Sequence, residues 1–380
     1  MNKSFSILVA GDLVLDREYL TKKIDSKVIS LFKNSDLNIV NLEAPTTLST
    51  KRIEKTGPNL KSHIESTRNV LQTLKIDVVT LANNHVLDYG SKGLSDTLEF
   101  CEKYNLKSVG AGLNLEEASQ TLYLDSVEGK IAIVNIAENE WTSADFNTAG
   151  SNPMDTIDNS KQIQTASKLA NFVIVIVHGG NEYFKYPSPR MVKQYRYYVD
   201  CGADAVIGHH QHCIGGFEVY NNSPIVYSLG NFIFTTTIKK SDSWYVGAIA
   251  KLLIKKNEPI KMSLHYVGQT RGEHCIFIPE NEEIFKLENE VEEINKVILD
   301  SEQLNMQWNE FVETQKPMFA KSQSPIAGFT NRYLKAILYR SGVYKLFLHK
   351  KYLQENLNRI RCEAHHELTK AILTQLLRNK

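Results

Sequence analysis

The chain has 380 residues, 42% of them hydrophobic and 23% charged. That balance excludes a disordered or fibrous protein, and the length suits one large domain or two ordinary ones. With 44 Lys and Arg against 43 Asp and Glu, the net charge of +1 offers no global argument for nucleic acid.

The even balance conceals an asymmetry, because residues 331–380 carry a net +8 and the remainder −7. Cys101, Cys201, Cys213, Cys275 and Cys362 are scattered without CxxC spacing, which reads as a reducing compartment. The first apolar run is interrupted at Asp12, too early for a signal segment, and no apolar stretch reaches 18 residues. The expectation is a soluble cytoplasmic protein whose membrane contact, if any, is peripheral.

Short β-branched runs at 4–10, 37–41, 78–82, 131–136, 172–177 and 205–207 predict strands buried on both faces. Helical spacing occupies 18–34, 63–74, 93–104, 157–169 and 188–201. The alternation predicts an α/β domain with a largely parallel central sheet. Beyond Gly215 an Asn-Asn-Ser-Pro turn separates two runs of β-formers, and strand-rich sequence continues to about 268. From 280 to 313 there are 11 acidic and 2 basic residues, with Ile284, Leu287, Val291, Ile294 and Ile298 at helical spacing. This predicts an acidic surface helix, then a linker over 316–329 and a basic helical tail. The expected division is a catalytic domain at 1–280 and a helical extension at 281–380.

The predicted strands share one property at their carboxyl ends. The first ends at Gly11-Asp12, the second at Asn41-Leu42-Glu43 and the third at Asn83-Asn84-His85, with Asp88 close behind. The run at 172–177 ends at His178-Gly179-Gly180-Asn181-Glu182-Tyr183, and the last at Gly208-His209-His210-Gln211-His212. The carboxyl edge of a parallel sheet forms its functional crevice. Carboxylates, imidazoles and an amide gathered there suit divalent metals, and their number exceeds what one four-coordinate ion needs. Two ions sharing a carboxylate activate water and clamp phosphoryl oxygens, so the chemistry indicated is metal-assisted phosphoester hydrolysis.

In order and spacing, GDLVLDR, VNLE, LANNHVLDYG, HGGNEY and GHHQHCIGGFEVYNNSPIVYSLGNFIF resemble the motif series of the poly-γ-glutamate capsule-synthesis (CapA-like) proteins over residues 4–236. That family is similar in turn to the calcineurin-like metallophosphoesterases. The resemblance implies a four-layer α-β-β-α sandwich. It implies that Asp12 binds one metal, that Glu43 holds the bridging position, and that Asn84, His178, His210 and His212 complete the ligands. His85 resembles the histidine that contacts the phosphoryl oxygen or protonates the leaving group, with Asp88 as its partner.

Two departures bear on the metal count. The usual Asp-x-His is Asp12-Leu13-Val14 here, and Glu43 stands where the superfamily has Asp. One or two divalent ions (Mn, Fe, Zn or Mg) are therefore both open. The GHHQH run leaves His209 or His210 as the ligand; alternation along an extended chain selects His210 and His212 and turns His209 away.

Arg17, Lys61, Glu182 and Tyr183 are candidates for substrate contact, while Asn41, His209 and Asn231 are candidates to buttress the ligands. Lys55 and Lys61 flank Gly57-Pro58-Asn59 in a loop that reads as solvated or as reaching the crevice. The basic tail interleaves Tyr333, Leu334, Ile337 and Phe347 with Lys335, Arg340, Lys350 and Lys351. Its apolar side is expected to pack on the body or the acidic helix, with peripheral contact to an anionic membrane as the alternative. The functional expectation is a metal-dependent hydrolase of a phosphorylated or polymeric small molecule in capsule or surface-polymer biosynthesis. The alternatives are a non-hydrolytic accessory protein of poly-γ-glutamate or polysaccharide assembly, or metal-dependent amide-bond chemistry.

Overall fold

Alternation along the first strand, Phe5–Val14, sends neighbouring side chains into different cores. Leu8 and Ala10 join Val40 and Val79 against Val28, Phe32, Val70, Leu71 and Leu94 of three flanking helices. Ile7 and Val9, on the opposite side, join Ile39 and Val78 against Ile131, Ile133, Ile174, Ile176 and Ile207 of a second sheet. The far side of that second sheet, with Val134, Val175 and Val206, packs on Ile163, Ala166, Met191 and Tyr195 of two more helices. The layers are therefore helix, sheet, sheet, helix.

The computed structural model describes residues 4–236, 238, 240–322 and 324–361, together with 365, 366, 369, 372, 373 and 377. Among these, one sheet of eight strands runs in the order Ile276–Phe277, Lys261–Gln269, Val246–Ile254, Phe5–Val14, Leu37–Leu42, Val78–Thr80, Lys107–Val109. Asn231–Phe234 also pairs with Phe5–Val14, in parallel. The other sheet, of six strands, runs Phe217–Tyr220, Ser223–Val226, Ala205–His209, Phe172–His178, Gly129–Ala137, Leu122–Ser126. The four-layer sandwich implied by the resemblance is thus what forms, and the largely parallel central sheet expected from the alternation is two mixed sheets. The hairpin after Gly215 turns on Asn221 and Asn222, both at positive φ (47° and 65°), as a two-residue turn requires.

At the end of the sheets away from the candidate site, Asp36, Asp77 and Asp204 each precede a strand and bond the start of its neighbour. Their carboxylates accept the N–H groups of Ser6 (2.8 Å), Asn38 (2.8 Å) and Val173 (2.7 Å). Each bond pins the stagger between two parallel strands. The helix expected over 18–34 is shorter, Ser26–Lys33, because Asp25 caps it through the N–H of Lys27 and the preceding residues form only the turn Thr21–Lys23.

The acidic segment forms two helices, Asn281–Leu299 and Ser301–Ser322. They part at Asp300, whose carboxylate accepts from Glu302 N (3.0 Å) and Gln303 N (3.1 Å). The first helix is part of the sandwich, not an appendage. Val291 joins the core between the sheets, Ile294 and Ile298 join the outer core, and Asn295 accepts from Phe217 N at 2.7 Å. One compact unit accordingly runs to Gln307 instead of stopping at 280, and the second spans Trp308–Lys380. The start of the expected linker, 316–322, is helical and includes Pro317.

The second unit takes in residues 308–322 of the helix Ser301–Ser322, and its further described α-helices are Arg332–Arg340, capped by Asn331, and Lys350–Arg361. Cys362 and most of the tail beyond it lie outside the described residues. Among those described, no helix is long and apolar enough to cross a membrane.

Candidate metal centre

The first sheet delivers Asp12 through a bulge. Ala10 pairs with Val40 and Asp12 with Asn41, leaving Gly11 as the extra residue. A Cβ on Gly11 would lie 2.1 Å from the carbonyl oxygen of Gly230, so only glycine fits between the strands there. Asn41 lies near the end of the second strand, and Glu43 follows it with its N–H on the carbonyl of Leu13 (3.2 Å). Asn84 and His85 follow the third strand. The second sheet ends two strands at His178 and His209 in register with each other. The chain then reverses, with His210 and His212 both in left-handed conformations (φ 90° and 54°).

These residues converge in the interior at the carboxyl ends of both sheets. Two overlapping groups have ligand-type atoms within 4.8 Å of one another: Glu43, His178 and His210, and Asp12, Glu43 and His212. Glu43 is common to both. It is fully buried, and neither carboxylate oxygen has a hydrogen-bond partner among the described residues. His178 Nε2 stands 3.6 Å and His212 Nε2 4.0 Å from Glu43 Oε1. Asn84 Oδ1 is 3.1 Å from His178 Nε2, which places the amide at the His178 and His210 side.

Hydrogen bonds order the residues around these donors. Asn41 Nδ2 donates to Asp12 Oδ1 (2.7 Å) and lies 3.2 Å from His178 Nδ1. Asn231 Oδ1 accepts from His212 Nδ1 (2.9 Å) and its amide nitrogen donates to Trp244 O (3.1 Å). With its Nδ1 proton so placed, His212 presents the Nε2 lone pair toward Glu43. His209 does not turn away from the cluster: its buried ring places Nδ1 3.4 Å from Asp12 Oδ1. Strict alternation fails because the chain leaves the extended conformation at His210.

Electrostatics separate the two carboxylates. Burial would raise Asp12, but the imidazoles of His209, His212 and His178 close beside it hold it well below the usual carboxylate range. Glu43 accepts no hydrogen bond among the described residues. Burial, then the charges of Asp12, Glu182 and Asp88, push it well above that range. Burial also depresses the imidazoles, His178 well below its usual value and His210 to about 4, so their lone pairs are free for a cation.

His85 stands beside this cluster in its own charge system. Its Nδ1 is 2.6 Å from Asp88 Oδ2, which also accepts Leu60 N at 2.5 Å. The other Asp88 oxygen forms an ion pair with Lys55, whose Nζ is 3.2 Å from His85 Nδ1 and donates to Asn84 O (3.1 Å). Burial lowers the His85 pKa and Asp88 opposes that shift.

The rim departs from the sequence expectations. Arg17 is engaged bidentately by Asp16 (2.6 and 2.7 Å) at the surface. Lys61 points to Ser49 O (3.1 Å) and the Tyr89 ring, so Lys55, not Lys61, is the lysine that enters the site. Glu182 is exposed, yet close enough to act on Glu43 and His210 by charge. Tyr183 stacks on Trp244 (6.0 Å, 28°), which in turn lies against His212, and its hydroxyl accepts from Lys240 Nζ at 2.8 Å.

Glu140, close enough to Asn84 to be influenced by its amide, is a further rim residue that the motifs did not single out. It follows the strand Gly129–Ala137, so the end-of-strand rule that found the others applies to it as well. For Lys55 no sequence signal exists beyond its place beside Gly57.

Comparison with known proteins gives the lineage. The family model described as bacterial capsule synthesis protein PGA_cap matches residues 6–236. The chain belongs to this family. It is 35% identical over 238 residues to the PGA biosynthesis protein CapA of Bacillus subtilis, covering 59% of this chain and 62% of that one. Identity to the capsule biosynthesis protein CapA of Bacillus anthracis is 32% over 250 residues, with 61% and 60% covered. A probable polyglutamine synthesis accessory protein of Mycobacterium tuberculosis is 26% identical over 212 residues, with 52% and 56% covered. The chain thus spans less than two thirds of the length of these relatives. Among solved structures, a phosphatase from Mycoplasma pneumoniae aligns with a TM-score of 0.44 at 14% identity, covering 70% of this chain and 95% of that one.

Proposed function

We propose that this member of the capsule synthesis family is a metal-dependent phosphoesterase, acting on a phosphorylated or polymeric small molecule in capsule or surface-polymer biosynthesis. The observation that carries the reading is Glu43, a fully buried carboxylate shared by two donor groups and left without a hydrogen bond on either oxygen. A buried anion without a partner is costly, and a cation between the donors removes that cost.

Carboxylate, imidazole and amide oxygen together suit Mn, Fe, Zn or Mg. Asp12, Glu43 and His212 would hold one ion; Glu43, His178 and His210, with Asn84, would hold the other. Divalent ions at this position supply Lewis acidity toward a phosphoryl oxygen.

The chain's own residues handle the proton. Asp88 accepts the Nδ1 proton of His85 and so fixes the tautomer, leaving Nε2 to exchange a proton with an ester oxygen. Lys55 fixes Asp88 from the opposite side, and both are withdrawn from solvent. A site that only stabilised the fold would have no use for this dyad.

The test joins metal content to turnover, on protein purified without chelator. Hydrolysis of bis-p-nitrophenyl phosphate with added Mn is measured for wild type, His85→Ala and His210→Ala. The expected result is about two metals per wild-type chain, with activity lost but metal retained in His85→Ala and both reduced in His210→Ala. Bound metal without turnover of any phosphoester would favour the second reading, an accessory role of the kind named for the mycobacterial relative. Absence of metal would sink both metal readings.

A further inference from the structure

We propose that residues 332–361 form a docking surface for an anionic lipid bilayer. The stretch holds eight Lys and Arg and one acidic residue, Glu355. Its two described helices, Arg332–Arg340 and Lys350–Arg361, are each amphipathic. On the first, Tyr333, Leu334, Ile337 and Leu338 span an arc of about 140° at the helical repeat, with Arg332, Lys335 and Arg340 on the remainder. On the second, Leu353, Leu357 and Ile360 recur at i, i+4 and i+7, with Lys350 beside them.

Among the described residues, large apolar side chains of both helices are exposed. Tyr333, Leu334, Ile337, Leu353, Leu357 and Ile360 are 39% to 69% exposed, far more than amphipathic helices in a closed core allow. Charge decides between a bilayer and a second copy. A second copy would bring the same positive face against its own kind, and like charges across an interface oppose association. An anionic bilayer offers negative headgroups over a continuous apolar layer, and it does not require a fitted groove.

The geometry agrees with an in-plane arrangement. Helices of nine and twelve residues are too short to span, since a crossing takes about 20. Lying in the interface, they bury leucine and isoleucine below the headgroups while long basic side chains reach outward. Gly342, at φ +76°, breaks the chain after the first helix, so the two can lie side by side or at an angle on one surface.

The test uses the full chain and sedimentation with vesicles. One set is phosphatidylcholine alone, and the other holds about one third phosphatidylglycerol, at low and high salt. Binding is expected only to the anionic vesicles, and weaker at high salt. Lys350→Gln with Lys351→Gln should weaken it about thirtyfold, at about 1 kcal/mol for each charge removed. Ile337→Glu with Leu357→Glu should abolish it, with the melting temperature of the sandwich unchanged.

Equal partition to both vesicle types, or none to either, overturns the proposal. So does a concentration-dependent dimer in solution that Ile337→Glu with Leu357→Glu dissolves, because the face would then be a protein interface. A fall in melting temperature in that variant, without vesicle binding by wild type, would instead mean that the face docks within the chain.

Discussion

Lys55 is ion-paired with Asp88 in the interior, the two side chains only 3% and 0% exposed. A lysine from a glycine-containing loop thereby sets the environment of the histidine that follows the third strand. Removing one partner of a buried pair leaves the other charge uncompensated, at a cost of about 3–5 kcal/mol. Lys55→Met should show that loss in urea unfolding. Lys55→Met combined with Asp88→Asn should recover a large part of it, because the stranded charge is gone. A single variant within 1 kcal/mol of wild type would mean that the pair has little structural weight.

The same residue shows where the sequence stops being readable. Strand ends could be found because β-branched runs announce themselves, and the positions immediately after them brought together Asp12, Glu43, Asn84, His85, His178, His210 and His212. The two-sheet arrangement was not legible from local pattern, since strands buried on both faces look alike in either sheet; the resemblance to a known family supplied it. Lys55 and Lys61 are equivalent in sequence, six residues apart in one loop, and only tertiary contacts with Asp88 and Tyr89 distinguish them. The helix Asn281–Leu299 looked like an appendage because its composition is acidic. Yet Val291, Ile294 and Ile298 were already spaced to pack, and composition misled where periodicity did not.

Glu43→Gln keeps the side chain's size and removes its charge. Metal content should fall by at least half, because both donor groups lose their shared member. Binding to the folded state alone stabilises it by mass action, about 4 kcal/mol at a thousandfold excess over Kd. Chelator should therefore lower the melting temperature of wild type markedly and that of Glu43→Gln little. Equal sensitivity in the two proteins would remove Glu43 from the ligand set.

Asp204 gives a pH dependence remote from the metal centre. Its carboxylate accepts Val173 N at 2.7 Å, and burial raises its pKa, with that bond opposing the rise. A carboxyl whose folded pKa exceeds the unfolded one contributes fully below the unfolded value, near 4. That contribution is lost as pH rises through the folded value. Asp204→Asn keeps an oxygen for Val173 and cannot ionise, so its stability relative to wild type should improve between pH 4 and pH 7. Asp204→Ala leaves a buried N–H unpaired and should cost about 1–3 kcal/mol across the range. Denaturant curves at the two pH values would decide it, and a stability difference between Asn and wild type that does not change with pH would refute the assignment.

Asn231 acts on the candidate centre without belonging to the donor groups. Its oxygen takes the Nδ1 proton of His212 at 2.9 Å while its amide nitrogen is tied to Trp244 O, so the acceptor cannot swing away. An imidazole held in one tautomer and one orientation is a better ligand than a free one, and loss of such a partner typically weakens metal affinity 10- to 100-fold. Asn231→Ala should show that loss in competition with a chelator, with a smaller effect on stability in metal-free protein. Asn231→Asp keeps an acceptor for the Nδ1 proton but loses the donor to Trp244 O, so it should recover affinity in part. If both variants bind metal as wild type does, the Nδ1 bond is incidental and His212 is oriented instead by its packing against Trp244 and Phe234.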